Sequence, residues 1–172
     1  MAIDPADLLD LAGRLVGAVP GAKEADLRRG ISTAYYAIFH FLVKEAMTAF
    51  ISDSAFRARV GRALQHGSMR SVCEKYNPSR TNGAGDYVTS EGHGFPAQVI
   101  SPDVRQVAAV FIALHEAREN ADYNDGITIQ HTEALAAVQQ ARSAFQSWLT
   151  AQAHPSAQNF LQELICRSII KR

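Results

Sequence analysis

The chain has 172 residues, of which 47% are hydrophobic and 20% charged, the size and balance of one ordinary globular domain and not of a disordered chain. Its 17 basic and 17 acidic residues cancel, so no global field draws it to nucleic acid. The longest apolar run, residues 34–43, is broken by His40 and too short to span a bilayer. The start of the chain carries Asp4, Asp7 and Asp10 where a secretion signal would be basic and then apolar. A cytoplasmic protein without membrane contact is expected.

Asp4-Pro5 reads as a cap followed by proline at the first helical position, with Leu8, Ala12, Leu15 and Val19 following at helical spacing up to Pro20-Gly21. The second helix runs from about Lys23 to Phe50 on the stripe Leu27, Ile31, Ala34, Ile38 and Leu42. A third stretch, from about Ser54 to Tyr76, is expected to break at His66-Gly67-Ser68, where glycine ends one helix and serine caps the next. Residues 77–101 contain Pro78, Gly83, Gly85, Gly92, Gly94 and Pro96 with no apolar period, which predicts a long mobile loop. If that loop orders as a lid, Tyr87, His93 and Phe95 are the residues expected to touch the groove beneath it.

Ser101-Pro102-Asp103 repeats the cap-then-proline signature and opens a fourth helix on Val104, Val107, Phe111 and Leu114. Thr128 opens a fifth on Ala134, Val138, Ala141, Phe145 and Trp148, and a sixth follows from Pro155 to Ile170. Phe160, Leu161, Leu164 and Ile165 give that last helix an apolar face available for pairing with a second copy. With no alternating strand pattern and short connections elsewhere, the chain is predicted to be a single all-α domain, an up-and-down helical bundle of about five to six helices.

Arg118 continues the apolar stripe of the fourth helix and should face inward, with Asp122 one turn further on the same face. Such a pair is either a structural clasp or a functional guanidinium held in place. The second helix carries a polar stripe, Arg29, Thr33, Tyr36 and His40, whose histidine suits proton transfer and whose arginine suits an anion. Its bland alternative is that Tyr36 and His40 simply pack with their polar tips satisfied. Between Ser54 and Arg80, six basic residues, Arg57, Arg59, Arg62, Arg70, Lys75 and Arg80, face one acid, Glu74. That patch, with His66 beside Arg62, is either a phosphate-binding surface or a solvated helix face.

No metal site is expected, since no HxxxH, HExxH or paired-carboxylate spacing occurs, and Cys73 and Cys166 stand far apart in helical patterns as reduced structural thiols. Nor is a cofactor expected. The segment Thr81-Asn82-Gly83-Ala84-Gly85-Asp86 has the glycines of a phosphate loop without its spacing or its lysine.

The block Leu27-Arg28-Arg29-Gly30-Ile31-Ser32-Thr33-Ala34-Tyr35-Tyr36-Ala37-Ile38-Phe39-His40 resembles the second-helix signature of the HEPN superfamily, in its small stand-alone prokaryotic subgroup. His66-Gly67-Ser68-Met69 resembles the subgroup's His-Gly element, and Arg118-Glu119-Asn120-Ala121-Asp122-Tyr123 its Arg-x-x-Ala-Asp-Tyr element. The resemblance covers roughly residues 24–124 and leaves the last helix outside. It implies a HEPN-like bundle, a homodimer, a role in toxin–antitoxin or defence systems, and action on RNA or a nucleotide as a metal-independent endoribonuclease. It implies equally a non-catalytic module partnering a nucleotidyltransferase antitoxin. In ribonucleases of this superfamily an arginine is followed by four to six residues and a histidine. Here Arg118 fills the arginine position, but Tyr123 stands where histidine is usual, and a phenol with a pKa near ~10 is a poor base. The candidate catalytic set is therefore Arg118, Tyr123, His40 and His66, and the candidate binding set Arg29, Tyr36, Arg62, Asn120 and Asp122.

Overall fold

Several helix starts are set by local chemical devices. In the computed structural model, which describes residues 3–17, 20–91 and 94–170, Asp4 Oδ1 accepts from the backbone N–H of Ala6 at 3.0 Å, and Pro5 opens α1 (Pro5–Val16). The helix ends at Val16, short of the expected end near Pro20-Gly21. Gly17 takes φ 72°, a left-handed conformation that ends a helix and that a side chain disfavours. Val19 and His93 lie outside the described residues.

Helix α2 (Glu24–Phe50) matches the long second helix, and α5 (Pro102–Tyr123) starts where Ser101 Oγ accepts from Val104 N at 3.2 Å. Helix α6 (His131–Ala151) begins three residues later than expected. There Glu133 Oε2 reaches back to the Gln130 N–H at 2.9 Å, one half of a capping box. Helix α7 (Pro155–Ile170) follows. The third stretch is two helices, α3 (Ser54–Gly61) and α4 (His66–Lys75), so the described residues form an all-α fold of seven helices with no strand beyond two isolated bridges. The break falls at residues 62–65, ahead of the expected His66-Gly67-Ser68. Leu64 turns inward to 6% exposure, while Ser68 is buried inside α4 and not a cap.

Two compact units are distinguished, residues 1–41 with 110–146 and residues 42–109 with 147–172. In the first, Ala12 and Val16 of α1, Ile31, Ala34, Tyr35 and Ile38 of α2, Phe111 and Leu114 of α5, and Ala134, Val138 and Ala141 of α6 are almost wholly excluded from water. Burying each Leu, Ile, Val or Phe contributes about 1.5–3 kcal/mol. Gly30 lets α2 approach α1, since a Cβ there would lie 2.5 Å from Val16 Cγ2 and 3.5 Å from the Ala12 carbonyl. Val16 is fully buried and, being β-branched, has no rotamer to escape into. Gly30→Ala should therefore cost about 1–3 kcal/mol through overpacking, despite alanine's better helix propensity. A thermal melt no lower than wild type would contradict this close approach.

In the second unit, Tyr76 and Trp148 pack on Phe160 at ring-centroid distances of 5.0 and 6.2 Å. Phe160, Leu161 and Leu164 are thereby 0%, 3% and 0% exposed, so three of the residues assigned to a pairing face belong to this core instead. Glu163 lies beside them at 4% exposure. Its carboxylate takes Lys75 Nζ at 2.8 and 2.9 Å and the Tyr76 hydroxyl at 2.9 Å. Burial, reinforced by the Glu163 charge, pushes the Tyr76 phenol far above its ordinary pKa, which keeps it a donor. Truncating Lys75 to methionine strands that buried carboxylate and should destabilise the protein by about 3–5 kcal/mol, readable in urea unfolding. Replacing both Lys75 and Glu163 by apolar residues should recover most of that loss.

The same network reaches into the described part of the 77–101 segment. Gln98 donates to Tyr76 Oη at 2.9 Å and accepts from Asn159 at 2.7 Å, Thr89 pairs with Gln98 through both backbone and hydroxyl, and bridges join Thr81 to Tyr87 and Val88 to Val99. Arg105 stacks over Tyr87 at 3.7 Å, and Lys75 lies 5.8 Å from the Phe95 ring centroid. Glycine and proline content alone did not reveal these anchors.

Candidate functional site

Arg118 sits where the inner stripe of α5 reaches the end of the helix. Val104, Val107, Phe111 and Leu114 are each 0% exposed, and Arg118 lays its aliphatic stem along the same stripe with its charged head at the edge. The side chain is 15% exposed and its Nε lies 2.8 Å from Asp122 Oδ2. The Nε–H is not aligned for a hydrogen bond, so this contact is a Coulombic pair. Nη2 donates to the Tyr36 hydroxyl at 3.2 Å and to the Tyr123 hydroxyl at 3.3 Å. The guanidinium carbon is 5.8 Å from the Tyr36 ring centroid and 5.2 Å from that of Tyr123, within reach of a cation–π attraction. Burial works against the charge, but the Tyr36 hydrogen bond and the fields of Tyr36, Tyr123 and Asp122 outweigh it and raise the pKa of Arg118.

Asp122 is held from its other side by the buried hydroxyl of Ser32. The end of α5 is fixed in turn by Arg28, which donates to the carbonyls of Ala121 at 2.9 Å, Asn124 at 3.1 Å and Ile127, and pairs with Glu24. A guanidinium at a helix C-terminus satisfies orphan carbonyls and complements the helix dipole. Arg28 and Ser32 are absent from the candidate set derived from sequence. Their signal was present as a stripe one residue ahead of Arg29 and Thr33, stepping by four on the α2 face that meets the end of α5.

Four of the predicted site residues, Arg118, Asp122, Tyr123 and Tyr36, thus form one cluster. His40 stands one turn beyond Tyr36 on α2, half-buried, and burial lowers its pKa below the ordinary 6.5, which favours the neutral ring. Arg29 and Asn120 are exposed and do not join the cluster, and the Thr33 hydroxyl returns to the Arg29 carbonyl. His66 opens α4 and Arg62 is the C-cap residue of α3. Both belong to the second unit and are not part of the cluster. His115 is 7% exposed, meets the Tyr35 ring edge-on at 5.5 Å, and has Nδ1 3.6 Å from Glu119, which marks it as a packed histidine.

Two features give the cluster chemical capacity. Tyr123 is 72% exposed and, while accepting from Arg118, retains its own O–H as a donor. Among the described residues, Nη1 of Arg118 has no protein acceptor, so two N–H groups remain for a ligand oxygen. An oriented guanidinium with an adjacent phenol suits a phosphate or carboxylate oxygen. Among the described residues no group of three His, Cys, Asp or Glu side chains is placed to hold a metal ion, and no helix is long and apolar enough to cross a membrane. Comparison with family models, curated proteins and solved structures gave no match for this chain.

Proposed function

We propose that the chain is a HEPN-like, RNA-directed protein of toxin or defence type, a metal-independent endoribonuclease in which Arg118 holds the scissile phosphate. The observation that carries this reading is the fixed guanidinium itself: Asp122 and two tyrosine hydroxyls set its position while Nη1 stays uncommitted beside the exposed Tyr123.

In the proposed reaction, neutral His40 takes the proton of a ribose 2′-hydroxyl, and the 2′-oxygen attacks phosphorus. The bond from phosphorus to the 5′-oxygen breaks, the leaving oxygen gains a proton from water, and a 2′,3′-cyclic phosphate remains. Arg118 and the Tyr123 O–H stabilise the added charge on the phosphorane, the role of preorganised donors. With Tyr123 in place of the usual histidine, the base comes from another element, and His40 stands one turn beyond Tyr36 on α2 with burial favouring its neutral form. A homodimer and a nucleotidyltransferase antitoxin as partner rest on the sequence resemblance alone.

The second reading, a non-catalytic binding module, is favoured by the same Tyr123 and by Asp122, which already neutralises much of the Arg118 charge. End-labelled single-stranded RNA and transfer RNA incubated with purified protein in excess chelator distinguish the two. Fragments ending in 2′,3′-cyclic phosphate are the expected result. RNA that is bound but intact would select the binding module, and RNA neither bound nor cut would overturn the proposal.

A further inference from the structure

Helix α3 is a surface element without a buried residue. Its fold is local: Asp53 Oδ1 caps the Phe56 N–H at 2.7 Å, Arg57 Nε turns back to the Ile51 carbonyl, and Gly61 lies close enough to α2 that a Cβ would be 3.3 Å from Val43 Cγ1. That attachment leaves Ser54, Ala55, Phe56, Ala58 and Arg59 exposed. Phe56 is 52% exposed and Phe50 at the end of α2 38%. Arg59 and Arg62 are exposed, and neither makes an ion pair or side-chain hydrogen bond among the described residues. Arg62 keeps right-handed helical angles, φ −70° and ψ −14°, so Phe56, Arg59 and Arg62 follow at steps of three, spread over about 120° on one side of the helix.

Two other cations of the basic segment behave differently, while Arg80 is exposed in the segment that follows α4. Arg70 pairs with Glu74 and Lys75 with Glu163, so these cations serve the fold. Arg59 and Arg62 stand on α3 and at its C-cap, a helix of eight residues that itself contains no acid, next to an aromatic ring held in solvent. Cations that track a sugar–phosphate backbone, with an aromatic face on which a base stacks, are the two parts of a single-strand nucleic-acid platform. An acidic protein partner would need the arginines and leave the ring without a role.

We infer that the Phe56–Arg59–Arg62 face is a binding surface for single-stranded RNA, with Phe56 stacking a base and the two arginines neutralising phosphates. This rests on the RNA-directed reading above and adds to it a surface that serves affinity and not chemistry.

The test uses the full chain and a fluorescein-labelled 12-nucleotide oligouridine, methylated at every 2′-oxygen so that it binds without being cut. Fluorescence anisotropy should show Phe56→Ala weakening binding by about 5- to 100-fold, the range measured for one base–aromatic stack. Arg59→Gln with Arg62→Gln should lower the slope of log affinity against log salt by about 1.4, two phosphates at ~0.7 each for single strands. Since all three side chains are exposed, melting temperatures should stay at the wild-type value. Cleavage of unmodified RNA by the wild type, lost in Arg118→Ala, tests the proposed function separately. Wild-type affinity and salt slope in both α3 variants would overturn this surface while wild-type cleavage leaves the proposed function standing. Polyglutamate that displaces the RNA only from proteins retaining Arg59 and Arg62, together with no effect of Phe56→Ala, would assign the patch to acidic proteins and overturn it too. A wild type that binds no RNA would remove both readings.

Discussion

Replacing Arg118 with alanine is expected to slow RNA cleavage by about 10²–10³-fold, the usual consequence of removing one preorganised donor from a site where negative charge develops. The effect should fall on kcat more than on KM. In the proposed reaction Nη1 meets an oxygen whose charge grows in the transition state, while ground-state affinity is shared with other cations. Arg118→Lys separates geometry from charge. Lysine keeps the cation but cannot reach Tyr36, Tyr123 and a phosphate at once, so most of the loss should persist. Alanine also removes the cation beside Asp122, whose side chain is 23% exposed. Ser32 still donates to that carboxylate, so the fold should survive, and melting curves of both variants separate lost chemistry from lost structure. Full activity in Arg118→Ala would reject the site assignment outright.

His40→Gln is expected to cost about 10²–10⁴-fold in cleavage, the range for a general base, with RNA affinity nearly unchanged. The sign of the pH dependence follows from burial. A charged imidazole is disfavoured at this half-buried position, so the pKa of His40 lies below 6.5. Protonated His40 has no lone pair to accept the 2′-hydroxyl proton. The rate should therefore rise with pH through a pKa below 6.5 and then level off, and that limb should vanish in His40→Gln. The same depression makes folded protein with neutral His40 the favoured form above 6.5, and the stability it contributes is lost as pH falls through the folded pKa. An acid limb that survives the substitution would hand the proton to another group.

How much of this was legible in the sequence depends on whether the cause of each feature was local. Asp4-Pro5 and Ser101-Pro102 marked the starts of α1 and α5 because a cap and a proline act within one turn. The stripe that ends in Arg118 placed that residue inward, and Tyr36 met it as the α2 stripe suggested. Arg28 and Ser32 escaped because the α2 face meeting α5 differs by one residue, about 100° of helix, from the face chosen. Gly17 ended α1 before Pro20 through a backbone angle that sequence pattern does not report. The Tyr76, Gln98, Asn159 and Glu163 network joins residues up to 87 positions apart, so no window along the chain could contain it. Burial of Phe160 and Leu164 had the same cause: an apolar stripe specifies that something covers it, not whether the cover comes from the same chain.

Contact between Arg118 and an RNA phosphate is tested most directly by side-chain nitrogen NMR of Arg118, assigned by loss of its signal in Arg118→Lys. The protein is titrated with the same 2′-methylated oligouridine and, separately, with uridine, which carries no phosphate. Saturable shifts of the Arg118 guanidinium and the Tyr123 ring with the oligonucleotide, and none with uridine, are the predicted result. An oligonucleotide that saturates the protein while both signals stay in place would contradict it, as would the absence of any binding.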